Sequence, residues 1–312
     1  MVFLFESLKS NISTDFPEDL FAPSNSQKAL YNYKLNIGNN ICKDKKVIFC
    51  GICRDVGDVL ERNILRLHRT GRMFKDYHIF LYENDSSDNT VDILNNYKSD
   101  KLHFISTTRS DKNYREDLDN GKDKWHYNRC CILAECRNHY LDYINQLPDF
   151  DLLCVVDIDL KGGWSYDGIK HGLFTLYSDE KNSCVSSYGV LTEKTNEATL
   201  EEIDPKNYLM YDSFAFRPVG IDSLHMLRTP SYNYINFNRA DDPINVWSNF
   251  GGMAFYKANT IKGLKYGAKE WKTGYVDPDH VVFNRQLIKL NYNIILDPSM
   301  IVSYSNHKYS HD

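Results

Sequence analysis

Residues 152–156, Leu-Leu-Cys-Val-Val, form an unbroken apolar run that closes on Asp157-Ile158-Asp159. A run this short, β-branched and free of polar residues predicts a strand buried on both faces, with the two aspartates emerging where the strand leaves the core. Alternate residues of a strand point the same way, so the spacing aims both carboxylates at one spot. Their mutual repulsion is costly unless a cation sits between them, and oxygen ligands favour Mg²⁺, Mn²⁺ or Ca²⁺. The plainer alternative is a solvated acidic turn. Lys161-Gly162-Gly163-Trp164 follows at once, a flexible loop beside a large aromatic, suited to covering a bound ligand.

The rest of the chain supplies the frame for that strand. Residues 1–45 are polar, carry Pro17 and Pro23, and show no sustained period of either kind, which predicts an extension packed on the main body. From Lys46 a buried strand (47–53) is followed by a helical spacing over 58–69. A second strand (78–83), the turn Asn84-Asp85-Ser86-Ser87-Asp88-Asn89, a helix (90–97) and a third strand (102–106) come next. A charged loop (107–124) and a helix (128–147) lead into the acidic strand (152–159). Strands alternating with helices imply an α/β fold with a mostly parallel sheet and right-handed crossovers. Ligands of such sheets bind at the carboxyl ends of the strands, where Arg54-Asp55, Glu83-Asn84-Asp85 and Asp157-Ile158-Asp159 all fall. Beyond residue 160 the pattern predicts a helix (167–177), strands at 183–188, 252–256 and 293–296, and a helix (280–290). The Tyr- and Asn-rich stretch 191–246 yields no assignment.

Bulk properties exclude some functions. A net charge of −5 argues against a general electrostatic grip on nucleic acid. Most of the eight cysteines lie within apolar or helical stretches and read as buried small hydrophobes, which fits a reducing, cytoplasmic setting. Cys50-Gly51-Ile52-Cys53 ends a strand and has no second pair at zinc spacing, so it reads as structural. The start Met-Val-Phe-Leu-Phe is too short for a signal segment, and no apolar run approaches the ~18 residues of a membrane span. The expectation is a soluble chain, with peripheral association at a membrane left open.

Taken in order, these segments resemble the nucleotide-sugar glycosyltransferases of the GT-A fold. The resemblance runs over roughly 46–307 and is carried by strand 46–53, Tyr82-Glu83-Asn84-Asp85-Ser86-Ser87-Asp88-Asn89-Thr90, Ala134-Glu135-Cys136-Arg137-Asn138, Asp157-Ile158-Asp159, Gly251-Gly252-Met253-Ala254, Asp277-Pro278-Asp279-His280, and Asp297-Pro298 followed by His307. More narrowly, residues 277–284 resemble the Cys-Glu-His pattern of the fungal capsule-associated mannosyltransferases, with Asp279 where that pattern has Glu. The resemblance implies one GT-A-like catalytic domain over 46–312, with 46–160 as its nucleotide-sugar-binding half and 161–312 as its acceptor-binding half. It also implies Mn²⁺ or Mg²⁺ on Asp159 with Asp157 helping, and a shell completed by His307. Glu83 and Asp85 fall where the resembling enzymes bind base and ribose, and Arg137-Asn138 where theirs face donor phosphate and sugar.

Other roles rest on residue chemistry. Arg54 is placed to approach base or phosphate, or to form a surface ion pair. Asp279 suits acid–base work, taking a proton from an acceptor hydroxyl if the transfer inverts or orienting the donor if it retains; it would also cap the helix it opens. His280 beside it is grouped with the sugar-binding residues. Gly251-Gly252 would let backbone approach a sugar or merely turn the chain, and Trp164, Trp247 and Trp271 are stacking surfaces or core. The leading expectation is a metal-dependent transferase moving a hexose, mannose among the choices, from a nucleotide-diphosphate sugar to a glycan or lipid-linked saccharide. A non-catalytic carbohydrate-binding protein of the same fold is one rival. A nucleotidyltransferase is another, though it would normally carry a Gly-rich basic loop where this chain has Gly51-Ile52-Cys53-Arg54-Asp55.

Overall fold

Apolar runs without polar alternation need two cores, and the sheet has them. In a computed structural model that describes residues 12–109, 127–147, 149–192, 208–221, 235–272 and 276–304, strands β1 (Lys46–Cys53) and β4 (Leu152–Val156) lie side by side and parallel. Val47 and Phe49 of β1 and Leu152, Cys154 and Val156 of β4 enter one apolar cluster, while Ile48, Cys50, Leu153 and Val155 enter the other. Every second residue therefore serves the opposite layer, which explains the missing alternation.

Strands β2 (Asp76–Asn84) and β3 (Leu102–Thr107) extend the sheet in parallel, joined through helices α2 (Leu60–Gly71) and α3 (Thr90–Tyr97). Helix α4 (Tyr127–Ile144) precedes β4, and β5 (Gly163–Trp164) and α5 (Tyr166–Tyr177) follow it. The second half contributes β6 (Asn182–Thr192), β7 (Tyr208–Met210), β8 (Arg217–Pro218), β9 (Ile244–Ser248), β10 (Met253–Lys257), the short pair β11 (Lys269–Glu270) and β12 (Val276–Asp277), helix α6 (Asp279–Lys289) and β13 (Asn293–Ser303). The main sheet runs β3-β2-β1-β4-β10-β6-β13-β9-β8. β10 and β9 oppose the other strands on this path, so the sheet is mixed and mostly parallel, with helices on both faces.

Several expectations shift. The acidic strand ends at Val156, so Asp157 and Asp159 stand on the turn that follows it instead of within it. β13 is longer than 293–296 because a register shift between Asp297 and Ile301 absorbs Pro298, which has no N–H to give the ladder. The N-terminal segment contains a 17-residue helix, α1 (Lys28–Asp44), where no period was legible. Only Tyr31, Gly38 and Cys42 of α1 are buried, too few to print a stripe. It packs on α5 so closely that a Cβ at Gly38 would lie 1.8 Å from the Lys170 carbonyl oxygen. Glu18 anchors the chain ahead of it, pairing with Arg239 at 2.6 Å and accepting from Ser165 Oγ at 2.7 Å. All eight cysteines are free thiols, and Cys50 and Cys53 are buried in opposite cores. Among the described residues no helix is long and apolar enough to cross a membrane.

Candidate active site

The carboxyl ends of β1 and β4 open into a cavity of about 330 Å³ whose lining includes Arg54, Asn84, Arg137, Asp157, Asp159 and Asp279. Asp157 is fixed there from three sides. Its backbone N–H donates to the Gly252 carbonyl at 2.9 Å, the Tyr211 hydroxyl donates to Oδ2 at 3.0 Å, and Arg137 Nη2 lies 3.6 Å from Oδ1. Burial, then the Asp159 carboxylate, push the Asp157 pKa up to about 7 against the pull of Arg137. Burial likewise raises Asp159. Both carboxylates line the one cavity, and the repulsion that Asp159 exerts on Asp157 is the condition that a divalent cation relieves.

Arg137 is carried by α4 into the cavity wall. Its Nε donates to Asp279 Oδ2 at 2.5 Å, and its guanidinium lies 5.4 Å from the Phe250 ring and 6.0 Å from the Tyr266 ring. Nη1 is buried and has no hydrogen-bond partner among the described residues. Asp279 opens α6 behind the N-cap Pro278, which makes no side-chain cap hydrogen bond. Burial works to raise the Asp279 pKa, yet the Arg137 guanidinium overcomes it and holds the carboxyl below its usual range. A carboxylate so committed is a poor proton acceptor. His280, next in the chain, stacks on Phe250 with ring centroids 3.8 Å apart. Burial and then Arg137 drive its pKa down to about 3, so the ring is neutral, and neither nitrogen has a partner among the described residues.

Other expected site residues are used differently. Glu83 Oε1 accepts from the Ser86 backbone N–H at 2.8 Å and Oε2 accepts from Ser106 Oγ, so Glu83 ties the turn after β2 to β3. Asp85, at φ 55°, accepts from the Arg109 N–H at 3.1 Å. Neither lines the cavity; Asn84 between them does, its side-chain oxygen accepting from Cys136 Sγ at 3.6 Å. Asn138 spends its amide on both backbone groups of Tyr266, at 3.1 and 2.8 Å, and is likewise absent from the lining. Arg54 does line it, with Asp55 3.8 Å from its Nε.

None of the three tryptophans offered for stacking reaches the cavity. Trp164 is 1% exposed and gives its indole N–H to Thr70 Oγ1 at 2.9 Å, which makes it core and not a ligand cover. Trp247 borders a separate hollow with Arg217 and Arg285, and Trp271 donates to Asp277 at 2.6 Å. Gly251 and Gly252 have φ of 62° and 93°, and a Cβ on Gly251 would stand 2.2 Å from the Ser187 carbonyl oxygen. They turn the chain between Phe250 and β10, and the Gly252 carbonyl holds the Asp157 N–H. Asp277 and Asp297 are buried hubs, the first for Arg217 and Arg285, the second for His171 and Thr175. His307 lies outside the described residues.

The sequence reading missed Tyr211, Asp212 and Phe250, all of which line the cavity. Asp212 has φ 57°, a conformation Asp tolerates better than most residues. As a residue it keeps some exposure, but its Oδ2 is inaccessible and has no partner among the described residues. Burial first, then the carboxylates of Asp157 and Asp279, raise its pKa well above the usual range. Among the described residues no three His, Cys, Asp or Glu side chains converge as a ready metal cage. Asp157 and Asp159 are the pair whose donor atoms and unsatisfied charge fit a hard divalent cation.

No family model and no curated protein matches the sequence. Among solved structures, a mannosyltransferase from Pyrobaculum calidifontis, in complex with GDP-Man and Mn²⁺, is similar at a TM-score of 0.48 and 10% identity, over 92% of this chain and 68% of that one. A mycobacterial protein gives 0.45 and 10%, over 88% and 72%. Glucosyl-3-phosphoglycerate synthase from Mycobacterium tuberculosis, in complex with Mn²⁺, UDP and glucosyl-3-phosphoglycerate, gives 0.43 and 10%, over 88% and 77%.

Proposed function

We propose that this protein is a divalent-metal-dependent glycosyltransferase that moves a hexose from a nucleotide-diphosphate sugar to a glycan or lipid-linked saccharide. The observation that carries the reading is the pairing of Asp157 and Asp159 beyond β4, beside the buried guanidinium of Arg137, in one cavity at the carboxyl ends of parallel strands. Asp157 and Asp159 would hold Mn²⁺ or Mg²⁺. Such an ion neutralises the charge that grows on a departing diphosphate.

Arg137 supplies a second, permanent positive charge. Asp279 fixes its Nε side, and Nη1 is left as a donor for a phosphate or sugar oxygen. Arg54, after β1, lines the cavity at the strand end where a nucleotide would lie. Mannose is the first sugar to try, on the likeness of residues 277–284 to the capsule-associated pattern.

Calorimetric titration of GDP-mannose, UDP-glucose and TDP-glucose with and without Mn²⁺ tests the proposal. At least one donor should bind more tightly with the metal, and Asp159→Ala should abolish that gain while leaving the melting temperature near the parental value. Equal affinities with and without Mn²⁺ for every donor would overturn the reading.

A further inference from the structure

The carboxylates of the cavity are not equivalent. Asp157 accepts from Tyr211 and lies against Arg137, Asp159 is its partner for a cation, and Asp279 is bound to Arg137 Nε at 2.5 Å. That leaves Asp212. Its Oδ2 is inaccessible to solvent and makes no hydrogen bond among the described residues, although a carboxylate accepts readily. The segment that presents it is well anchored: the Tyr211 N–H donates to the Gly189 carbonyl at 2.9 Å, the Tyr211 hydroxyl reaches Asp157, and the Asp212 carbonyl accepts from the Ala215 N–H at 3.0 Å. A buried, unpaired oxygen held in a left-handed backbone inside a ligand-sized cavity is the kind of local cost that persists where a substrate repays it. His280, 4% exposed with both ring nitrogens unpartnered among the described residues, lines the same cavity and marks a second place where a ligand's polar groups are awaited.

We infer that Asp212 is the acid–base residue of the transfer, and that Asp279 is a positioning residue acting through Arg137. This rests on the glycosyl-transfer reading. The acceptor O–H bond breaks and its proton passes to the Asp212 carboxylate, while the acceptor oxygen forms a bond to the anomeric carbon of the donor. The bond from that carbon to the diphosphate oxygen breaks, and its electron pair leaves with the nucleotide diphosphate. A base that works on the incoming hydroxyl belongs to a single displacement, so the anomeric configuration inverts.

The experiment follows nucleotide diphosphate release from the donor that binds best with Mn²⁺, water serving as acceptor, in the full chain and in Asp212→Asn. Asn tolerates the same backbone and relieves the repulsion from Asp157 and Asp279, so the variant's melting temperature should equal or exceed the parent's. Its Mn²⁺-dependent donor affinity should stay within about threefold, and its turnover should fall by about 10²–10⁴-fold. Azide, an anionic nucleophile with no proton to lose, should restore release in Asp212→Asn, yielding the glycosyl azide of inverted configuration, and should not restore it in Asp159→Ala. Parental turnover in Asp212→Asn, a loss without azide rescue, or an azide product of retained configuration would each overturn the assignment while leaving the transferase reading intact. A parent that neither binds nor hydrolyses any nucleotide sugar would take both down together.

Discussion

Asp279→Asn should cost the protein stability even though it leaves size and shape unchanged. The side chains of Arg137 and Asp279 are 7% and 5% exposed and meet at 2.5 Å, so the substitution leaves a desolvated guanidinium without its main counterion. Breaking a buried pair from one side typically costs about 3–5 kcal/mol. Two features soften this: Asp157 lies 3.6 Å from Nη2, and the Asn side-chain oxygen still accepts from Nε. Relief of repulsion among Asp157, Asp212 and Asp279 works the same way, but through longer separations than the direct contact. The contact should win, leaving a loss of roughly 3 kcal/mol, or about 4–5 °C in melting temperature for a chain of this size. Urea denaturation should show a lower midpoint at unchanged slope. Arg137→Met should also destabilise, and the double variant should be more stable than the sum of the singles by at least about 1.5 kcal/mol. A loss below ~1 kcal/mol for Asp279→Asn, or strict additivity, would show that the pair is not the buried unit the geometry describes.

His280 makes a pH prediction. Unfolded, it takes up a proton near its ordinary pKa of 6.5, whereas folded it resists until about 3. Its share of stability is therefore present above the unfolded value and lost as pH falls toward the folded one, by up to ~1.4 kcal/mol per pH unit. His280→Phe, which keeps a ring against Phe250, should show a shallower decline of urea midpoint between pH 7 and 5; parallel declines would mean His280 is not held neutral. Gly38→Ala probes the seating of α1. The new Cβ would fall 1.8 Å from the Lys170 carbonyl oxygen, so overpacking of about 1–3 kcal/mol should outweigh the ~1 kcal/mol gain in helix propensity. Limited proteolysis should then cut within 12–45 more readily than in the parent, and an unchanged digestion pattern would refute close docking.

Strands β1, β2 and β4 were legible because each carries an apolar run buried on both faces. α1 was not, since its contact with α5 depends on the absence of a side chain at Gly38 more than on a row of large ones. At the site, spacing identifies which strand ends converge but not which residue turns inward at each. Glu83 and Asp85 were the readable acids, yet Asn84 faces the cavity. Asp212 was hidden for another reason: it sits in an aperiodic stretch and reaches the site only because β7 pairs with β6, a contact with no local signature. The tryptophans misled in the opposite direction, as large aromatics whose commoner fate, burial, is what Trp164 shows.

The antiparallel strand β10 has a consequence for synthesis. It lies between β4 and β6, so β4 is an edge strand until β10 arrives, and the ribosome must travel from Val156 to Met253, about a hundred residues, before that happens. At ~5–20 residues per second this is roughly 5–20 s during which a fully apolar strand shows an unpaired backbone edge. A nascent chain halted in that interval would expose Leu152 to Val156 to any other strand in reach, including the same segment on a neighbouring polysome chain. Slow passage through 157–252 should therefore lower the soluble yield of a protein whose finished form hides that edge completely.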